Sequence, residues 1–337
     1  RMLLEHVLAN LRASEVQEIV LVLGAAAEEL RRKISTDSLK VVVNPDYEQG
    51  MGTSLRTGLA ALSPTLKGAL VVLADQPFVR PETLNRLIAA REETGAQITL
   101  PLYRGFRGNP ALLDRSVFPE VMSLSGDVGC RAIFGDHTEG IQKVEVGDPG
   151  ILLDIDTEED LRRVEALGRN RELPPFESRS GPTLESSNLV IVGRDAVAQT
   201  IAKFGRLLGF GITFVDPFLR LQDLPEADRV LHAMDFSCLS GSHNFFVIAS
   251  RGQFDEEAVE QALAANGSYI GLLANRTRAA EVLNALGRRG ISEQKLARVK
   301  APAGLEIGAA SAEEIALSIV AEIVKERTAT QRSRTGE

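Results

Sequence analysis

Chemistry is most readily sought where an acidic side chain closes an apolar run. Residues 69–74 form such a run, Ala-Leu-Val-Val-Leu-Ala, and it ends in Asp75-Gln76-Pro77. A carboxylate at the carboxyl edge of a sheet strand stands where open α/β sheets bind their ligands. With a proline stiffening the exit, it is placed to hold one magnesium ion against substrate phosphates. The same aspartate could instead cap the helix expected to start near Pro81, and the local pattern does not choose between the two. A second segment, residues 44–56, leads from a strand through a glycine-containing loop toward a helix N-terminus, where backbone N–H groups and the dipole favour an anion. It carries Asn44, Ser54 and Arg56; on the local pattern alone, Ser54 as a simple N-cap and Arg56 as a solvated charge are favoured. Gly108-Asn109-Pro110 and the stretch from Ser125 through Asp127 to Arg131 are further loops whose residue types serve turns as readily as sites.

The second half offers a strand-turn-helix at residues 190–198, with Val215-Asp216-Pro217 closing the next strand, which is where a dinucleotide fingerprint sits. Its pattern is Gly193-Arg194-Asp195-Ala196-Val197-Ala198. Asp195 stands where a second glycine lets backbone approach a pyrophosphate, and its bulk and charge count against NAD. Gly304, Gly308 and the start of the helix at Ala312 could cradle an anion through backbone N–H groups, helped by Arg276 or Arg278; they could equally be turn glycines and solvated arginines. His6, His137, His232 and His243 are scattered, without a partner that marks any of them as catalytic.

These residues need elements to position them. In the first half short apolar runs at residues 18–24, 41–44, 69–75, 98–102 and 141–146 are expected as strands. Helices are expected at 26–34, 54–62, 81–94 and 157–167, the third opening on Pro81 and closing before Gly95. Residues 169–187 are polar with three prolines and predict a linker. A second series follows, with strands at 189–192, 212–216, 245–249 and 269–273 and helices at 196–208, 256–265, 276–286 and 312–325. The fold class is therefore α/β in two domains, each a mainly parallel sheet flanked by helices. Their expected spans are 1–168 and 188–327, with a polar tail at 328–337.

Composition narrows the classes. The 337 residues are 44% hydrophobic and 25% charged, an ordinary globular balance at two-domain length. A net charge of -8 counts against a nucleic-acid binder, which needs a basic stripe. Two cysteines, Cys130 and Cys238, stand far apart without metal-ligand spacing, so neither a disulfide framework nor a zinc site is expected. The absence of a signal-peptide pattern and of an apolar run of about 18 residues predicts a cytoplasmic protein with no membrane contact.

In order, segments 20–24, 44–58, 74–78, 108–110, 126–131 and 154–161 resemble the MobA/MocA-like nucleotidyltransferase family over about residues 3–167. Their joint order is far more specific than any one of them, and Ala-Asp-Gln-Pro at 74–77 looks like the cytidylyl-transferring branch. The resemblance implies a nucleotide-diphospho-sugar-transferase-like fold with Asp75 as catalytic magnesium ligand and Asp154 or Asp156 completing the metal site. Asp156 could instead only precede a capped helix. It further implies Asn44, Ser54 and Arg56 beside the nucleotide and Asn109, Asp127 and Arg131 beside the acceptor. Members of that family open with a strand and a glycine-rich loop bearing a lysine, which hold the triphosphate. The chain as given starts at Arg1, about where the segment after that loop falls, so it lacks a central strand and the main phosphate cradle; transfer is expected of a form that carries the loop.

Segments 269–273, 299–309, 313–316 and 321–323 resemble the Rossmann-like C-terminal domain of the XdhC/CoxI family over about residues 188–326. That family assists maturation of molybdenum hydroxylases such as xanthine dehydrogenase. Its polar motifs have drifted here: the glycine fingerprint as above, a Thr-His-Asp-His segment to Ser250-Arg251-Gly252-Gln253, and an arginine-bearing turn to residues 274–278. The joint resemblance implies a molybdenum cofactor cytidylyltransferase and maturation factor that takes CTP, molybdopterin and Mg2+ and serves a hydroxylase apoenzyme. The alternatives are a non-catalytic cofactor chaperone and a nucleotidyltransferase for another phosphorylated acceptor. Oligomeric state is left open.

Overall fold

Continuous apolar runs belong to sheets covered on both faces, and the first two in the chain pair with each other. β1 (Val20–Leu23) lies parallel to β2 (Lys40–Val43), with Val20 opposite Lys40 and Leu23 opposite Val43. The computed structural model describes residues 2–124, 126, 129–155, 176–178, 187–239 and 243–335. One compact unit is built from described residues between 2 and 155 except 104–106, a second from 104–106 and those between 176 and 335.

The larger sheet of the first unit runs β3 (Gly68–Val71), β6 (Ala111–Asp114), β4 (Ile98–Tyr103), β5 (Phe106–Arg107), with β7 (Ile141–Glu145) also beside β4. It is mixed. β6 is antiparallel to both β3 and β4, while β4 and β7 are parallel. The sequence pattern did not mark β5 and β6, because they are short and arise from a tight reversal at Arg104-Gly105, both at positive φ (53° and 80°). β3 stops four residues before Asp75, earlier than the apolar run implies. Val71 is paired with Ala111, and the next residue on that partner is Pro110, which has no N–H to continue the ladder.

Among the described residues, five α-helices accompany these strands: α1 (Leu3–Arg12), α2 (Ala27–Lys33), α3 (Met51–Ala61), α4 (Pro81–Thr94) and α5 (Phe118–Ser123). α4 has the expected Pro81 start and Gly95 stop, the glycine in the left-handed region at φ 66°. α3 starts three residues before Ser54, on Gly50 at φ 108°, so Ser54 lies inside the first turn and is not its cap. Leu59, Ile98, Leu100, Leu113, Val117 and Val121 join the buried core of this unit.

The second unit is a seven-stranded sheet in the order β14 (Val299–Lys300), β13 (Tyr269–Leu272), β12 (Asn244–Ile248), β9 (Asn188–Val192), β10 (Gly211–Val215), β11 (Arg229–Leu231), β8 (Phe176–Ser178). All neighbours are parallel except β8, which runs antiparallel to β11. β8 corrects the linker reading. Three residues of the polar stretch complete the sheet edge, because an extended segment satisfies its backbone groups there whatever its side-chain pattern. The rest of 169–187 except Ser187 lies outside the described residues, as does the helix expected at 157–167. Helices α6 (Ala196–Leu207), α7 (Asp255–Ala264), α8 (Arg276–Arg288), α9 (Glu293–Leu296) and α10 (Ala312–Thr335) belong to this unit. Its core joins Leu189, Ile191, Ile212 and Phe214 of the sheet to Ile201 of α6 and Ile319 of α10.

Candidate functional site

Beyond the end of β3 the chain turns, and Asp75 lies half-buried in that turn. Its carbonyl accepts the N–H of Ile155 at 2.9 Å. The next residue, Gln76, is 3% exposed, and its side-chain amide donates to Asp154 Oδ1. Two hydrogen bonds thus join the Asp75 turn to the Asp154-Ile155 segment, so the stretches that carry these two residues lie side by side. The rest of the 148–155 segment fixes the surroundings. Asp148 Oδ2 accepts from the Arg80 N–H (2.8 Å) and the Thr83 hydroxyl (2.7 Å), and Oδ1 accepts from the Gly150 N–H (3.0 Å). This carboxylate therefore ties down Arg80, just before α4, and Thr83 in its first turn. Gly150 packs so closely on the other segment that a Cβ would lie 2.2 Å from the Phe78 carbonyl oxygen. From α1, the Asn10 amide donates to the carbonyls of Pro77 and Val79, both at 3.0 Å. Asn109 joins the same hub, its N–H donating to the Ile151 carbonyl at 3.0 Å.

Asn44 is 1% exposed and works from behind. Its amide donates to Thr53 Oγ1 (2.8 Å) and Ser54 Oγ (3.0 Å), and its carbonyl oxygen accepts the Asp46 N–H (3.0 Å). It shapes the 46–54 loop. Ser54, Asn109 and Arg131 line a cavity of about 1060 Å³ whose apolar walls include Leu8, Val22 and Val71. Arg56 is half-buried on α3 and does not line it. Burial pushes the Cys130 thiol at the same cavity up to about 11, so it stays protonated at neutral pH and is no nucleophile. Asp127 and Asp156 lie outside the described residues. Among the described residues no group of three or more His, Cys, Asp or Glu side chains gathers to hold a metal. Two carboxylates still suit magnesium, which commonly takes one or two from the protein and the rest of its oxygens from water and substrate phosphate.

Sequence reasoning missed Asn10, Gln76, Asp148 and Gly150. Asp148-Pro149-Gly150 carries a turn signature that could have been found; nothing local marks Asn10.

In the second unit, several groups of the candidate anion cradle have partners within the chain. The Gly304 N–H donates to Glu322 Oε2 at 2.9 Å. The N-terminus of α10 is closed by Glu314, which accepts from the N–H groups of Ala310 (2.8 Å) and Ser311 (3.0 Å), bonds that hold its carboxyl below the usual range. Arg276 reaches Glu306 at 2.7 Å, and Arg278 meets Asp255 (3.1 Å) and Glu256 (3.2 Å). Gly308 is exposed, with φ 72° and open space where a side chain would stand. The Gly304 N–H, the turn before α10 and both arginines thus each meet an acidic side chain of this chain. Gly193, at φ 121°, does hold its turn at the end of β9.

A family model described as a MobA-like NTP transferase domain matches residues 1–141, and one described as an XdhC Rossmann domain matches residues 189–323. The chain is 31% identical over 170 residues to nicotine blue oxidoreductase of Paenarthrobacter nicotinovorans, covering 49% of this chain and 83% of that protein. The chain belongs to the MobA-like NTP transferase family and carries an XdhC Rossmann domain. The molybdenum cofactor cytidylyltransferase of Escherichia coli (strain K12) is 28% identical over 145 residues, which span 42% of this chain and 71% of the relative. The uncharacterized protein YqeB of the same organism is 34% identical over 145 residues, 41% of this chain and 27% of YqeB, so the match spans well under half of that relative. Among solved structures, Rv0371c of Mycobacterium tuberculosis H37Rv is 33% identical with a TM-score of 0.43, covering 48% of this chain and 83% of that one. Asp75 and the cavity with Ser54 and Arg131 lie within the residues matched by the MobA-like model, and the 148–155 segment lies beyond them; Gly193, Asp195 and the Glu322 contact lie within those matched by the XdhC Rossmann model.

Proposed function

We propose that the MobA-like domain transfers a cytidylyl group from CTP to the terminal phosphate of molybdopterin, and that the XdhC domain serves the delivery of the product to a molybdenum hydroxylase apoenzyme. The observation that carries this reading is the joining of the Asp75 turn to the Asp154-Ile155 segment, beside the loop that bears Asn109. Similarity to a molybdenum cofactor cytidylyltransferase supports the choice of substrates. In the reaction a phosphate oxygen of the acceptor bonds to the α-phosphorus of CTP, and the bond from that phosphorus to the pyrophosphate oxygen breaks. Such transfers ask for positioning and charge neutralisation more than for covalent work by the protein. Asp75 and Asp154 are the residues that would hold magnesium, which when bound offsets charge on the phosphate oxygens. Arg131 supplies positive charge at the cavity, Ser54 a hydroxyl at the start of α3, and Asn109 an amide on the acceptor side. Asn44 acts through the loop it shapes. We place the protein in the cytoplasm, where CTP is found.

The test is pyrophosphate release from CTP with molybdopterin and magnesium, comparing a form of the protein that carries the glycine-rich phosphate loop with its Asp75→Asn and Asp75→Ala variants. Loss of a metal-binding carboxylate removes several kcal/mol of transition-state stabilisation, so turnover should fall about a hundredfold or more while the fold is kept. Near-normal turnover of both variants at limiting magnesium would show Asp75 to be a turn residue only.

A further inference from the structure

The second unit keeps the frame of a dinucleotide crevice. From the central β9 the chain proceeds to β10 on one side, while β12, on the other side of β9, leads on to β13. The carboxyl ends of β9 and β12 therefore flank a topological switch point, where open α/β sheets bind ligands. The turn after β9 is held by Gly193 at φ 121°, where a Cβ would lie 2.2 Å from the Ala249 carbonyl oxygen, so the loops after β9 and β12 meet in backbone contact. α6 then begins at Ala196. In folds of this kind a diphosphate sits on the first N–H groups of that helix.

Here a carboxylate of the chain has those contacts. Asp195 Oδ1 accepts from the Ala198 N–H at 2.8 Å, and Oδ2 accepts from Arg251 Nε at 2.9 Å. Arg251 reaches across from the loop after β12, with its backbone in the left-handed region (φ 51°) that a non-glycine residue seldom adopts. A helix N-terminal N–H and a guanidinium are two of the strongest partners a phosphate finds. The other charges about the crevice are matched: Arg194 lies 3.6 Å from Asp216, and Asp255 accepts from Ser250 (2.6 Å) and Arg278 (3.1 Å).

We infer that Asp195 closes this crevice to dinucleotides: with its bridge to Arg251 it takes the contacts that a diphosphate would need at the start of α6. Asp195 adds a fixed negative charge where an incoming phosphate would bring a second, and neither can share the single guanidinium without repulsion. The inference does not rest on the function proposed for the first unit.

The full chain can be titrated with NADH, followed by its fluorescence, in metal-free buffer with a chelator. The unaltered protein should show no saturable binding below about millimolar NADH, and Asp195→Gly should bind at least about tenfold more tightly. Asp195→Asn keeps a good helix cap while losing the charge, so it should fall between them and carries the test if the glycine variant does not fold. Adding Arg251→Ala to either variant should abolish the gain. The inference is overturned if the unaltered protein saturates in the same range as the variants, if the folded Asp195 variants gain nothing, or if the gain survives the loss of Arg251.

Discussion

A buried carboxylate survives in a protein only where donors replace the water it has lost, and Asp148 has three: the N–H groups of Arg80 and Gly150 and the hydroxyl of Thr83. Removing it leaves these donors without an acceptor at a site only 3% exposed. Stranding buried donors costs about 2–3 kcal/mol, and Asp148→Ala should lower the urea-derived stability of the first unit by that order. Asp148→Asn keeps the shape but turns an NH2 group toward donors, so it should recover little of the loss. Stability unchanged within about 0.5 kcal/mol would mean that water takes over the three donors. Turnover should fall together with stability, because the 148–155 segment also carries the Ile155 N–H that fixes the Asp75 turn. Asp75 and Asp148 thus differ in kind. Replacing the first should impair transfer with the fold retained; replacing the second should impair both.

At the scale of elements, the short β8 strand has the least intrinsic reason to form. Three residues bury little, and a lone edge strand is marginal without further anchors. Its anchor is Glu177, which stands opposite Val230 of β11 and whose Oε2 accepts the Leu221 N–H at 2.8 Å. Glu177→Ala should therefore cost about 1 kcal/mol and release the strand locally. Amide hydrogen exchange should speed up at Arg229–Leu231 of β11 while β9 and β10 stay protected. Unchanged exchange at β11 would mean that backbone pairing alone holds the edge. The start of α3 follows a related logic. The Asn44 side chain draws Thr53 and Ser54 together, and the helix begins ahead of them at Met51, where the positive φ of Gly50 lets the chain enter.

Taken whole, the described residues include one buried cluster around Leu113 in the first unit and another around Ile191 in the second. Leu113 is fully buried, and truncating such a side chain costs about 2–5 kcal/mol. Leu113→Ala should lower the denaturant midpoint of first-unit amides and leave those of β9, β10 and β12 nearly in place; equal loss in both would mean one cooperative core. The alternation of apolar runs with helix-period stretches, the Pro81 start and Gly95 stop of α4, and the Gly193 turn were all legible in the sequence. They depend on backbone geometry within a few residues, where side-chain period and φ preference write directly into residue order. The antiparallel β6, the early end of β3 and the capture of β8 were not, since each depends on a partner strand far along the chain. The same holds for the site. The sequence by itself put Asp75 after an apolar run and Asp195 where a glycine is usual. Only the tertiary structure set Asn10 against Pro77, 67 residues apart, Gln76 against Asp154, 78 apart, and Arg251 against Asp195, 56 apart. A hydrogen bond is short and directional, so which donor meets which acceptor is decided by where the folded sheets carry the loops.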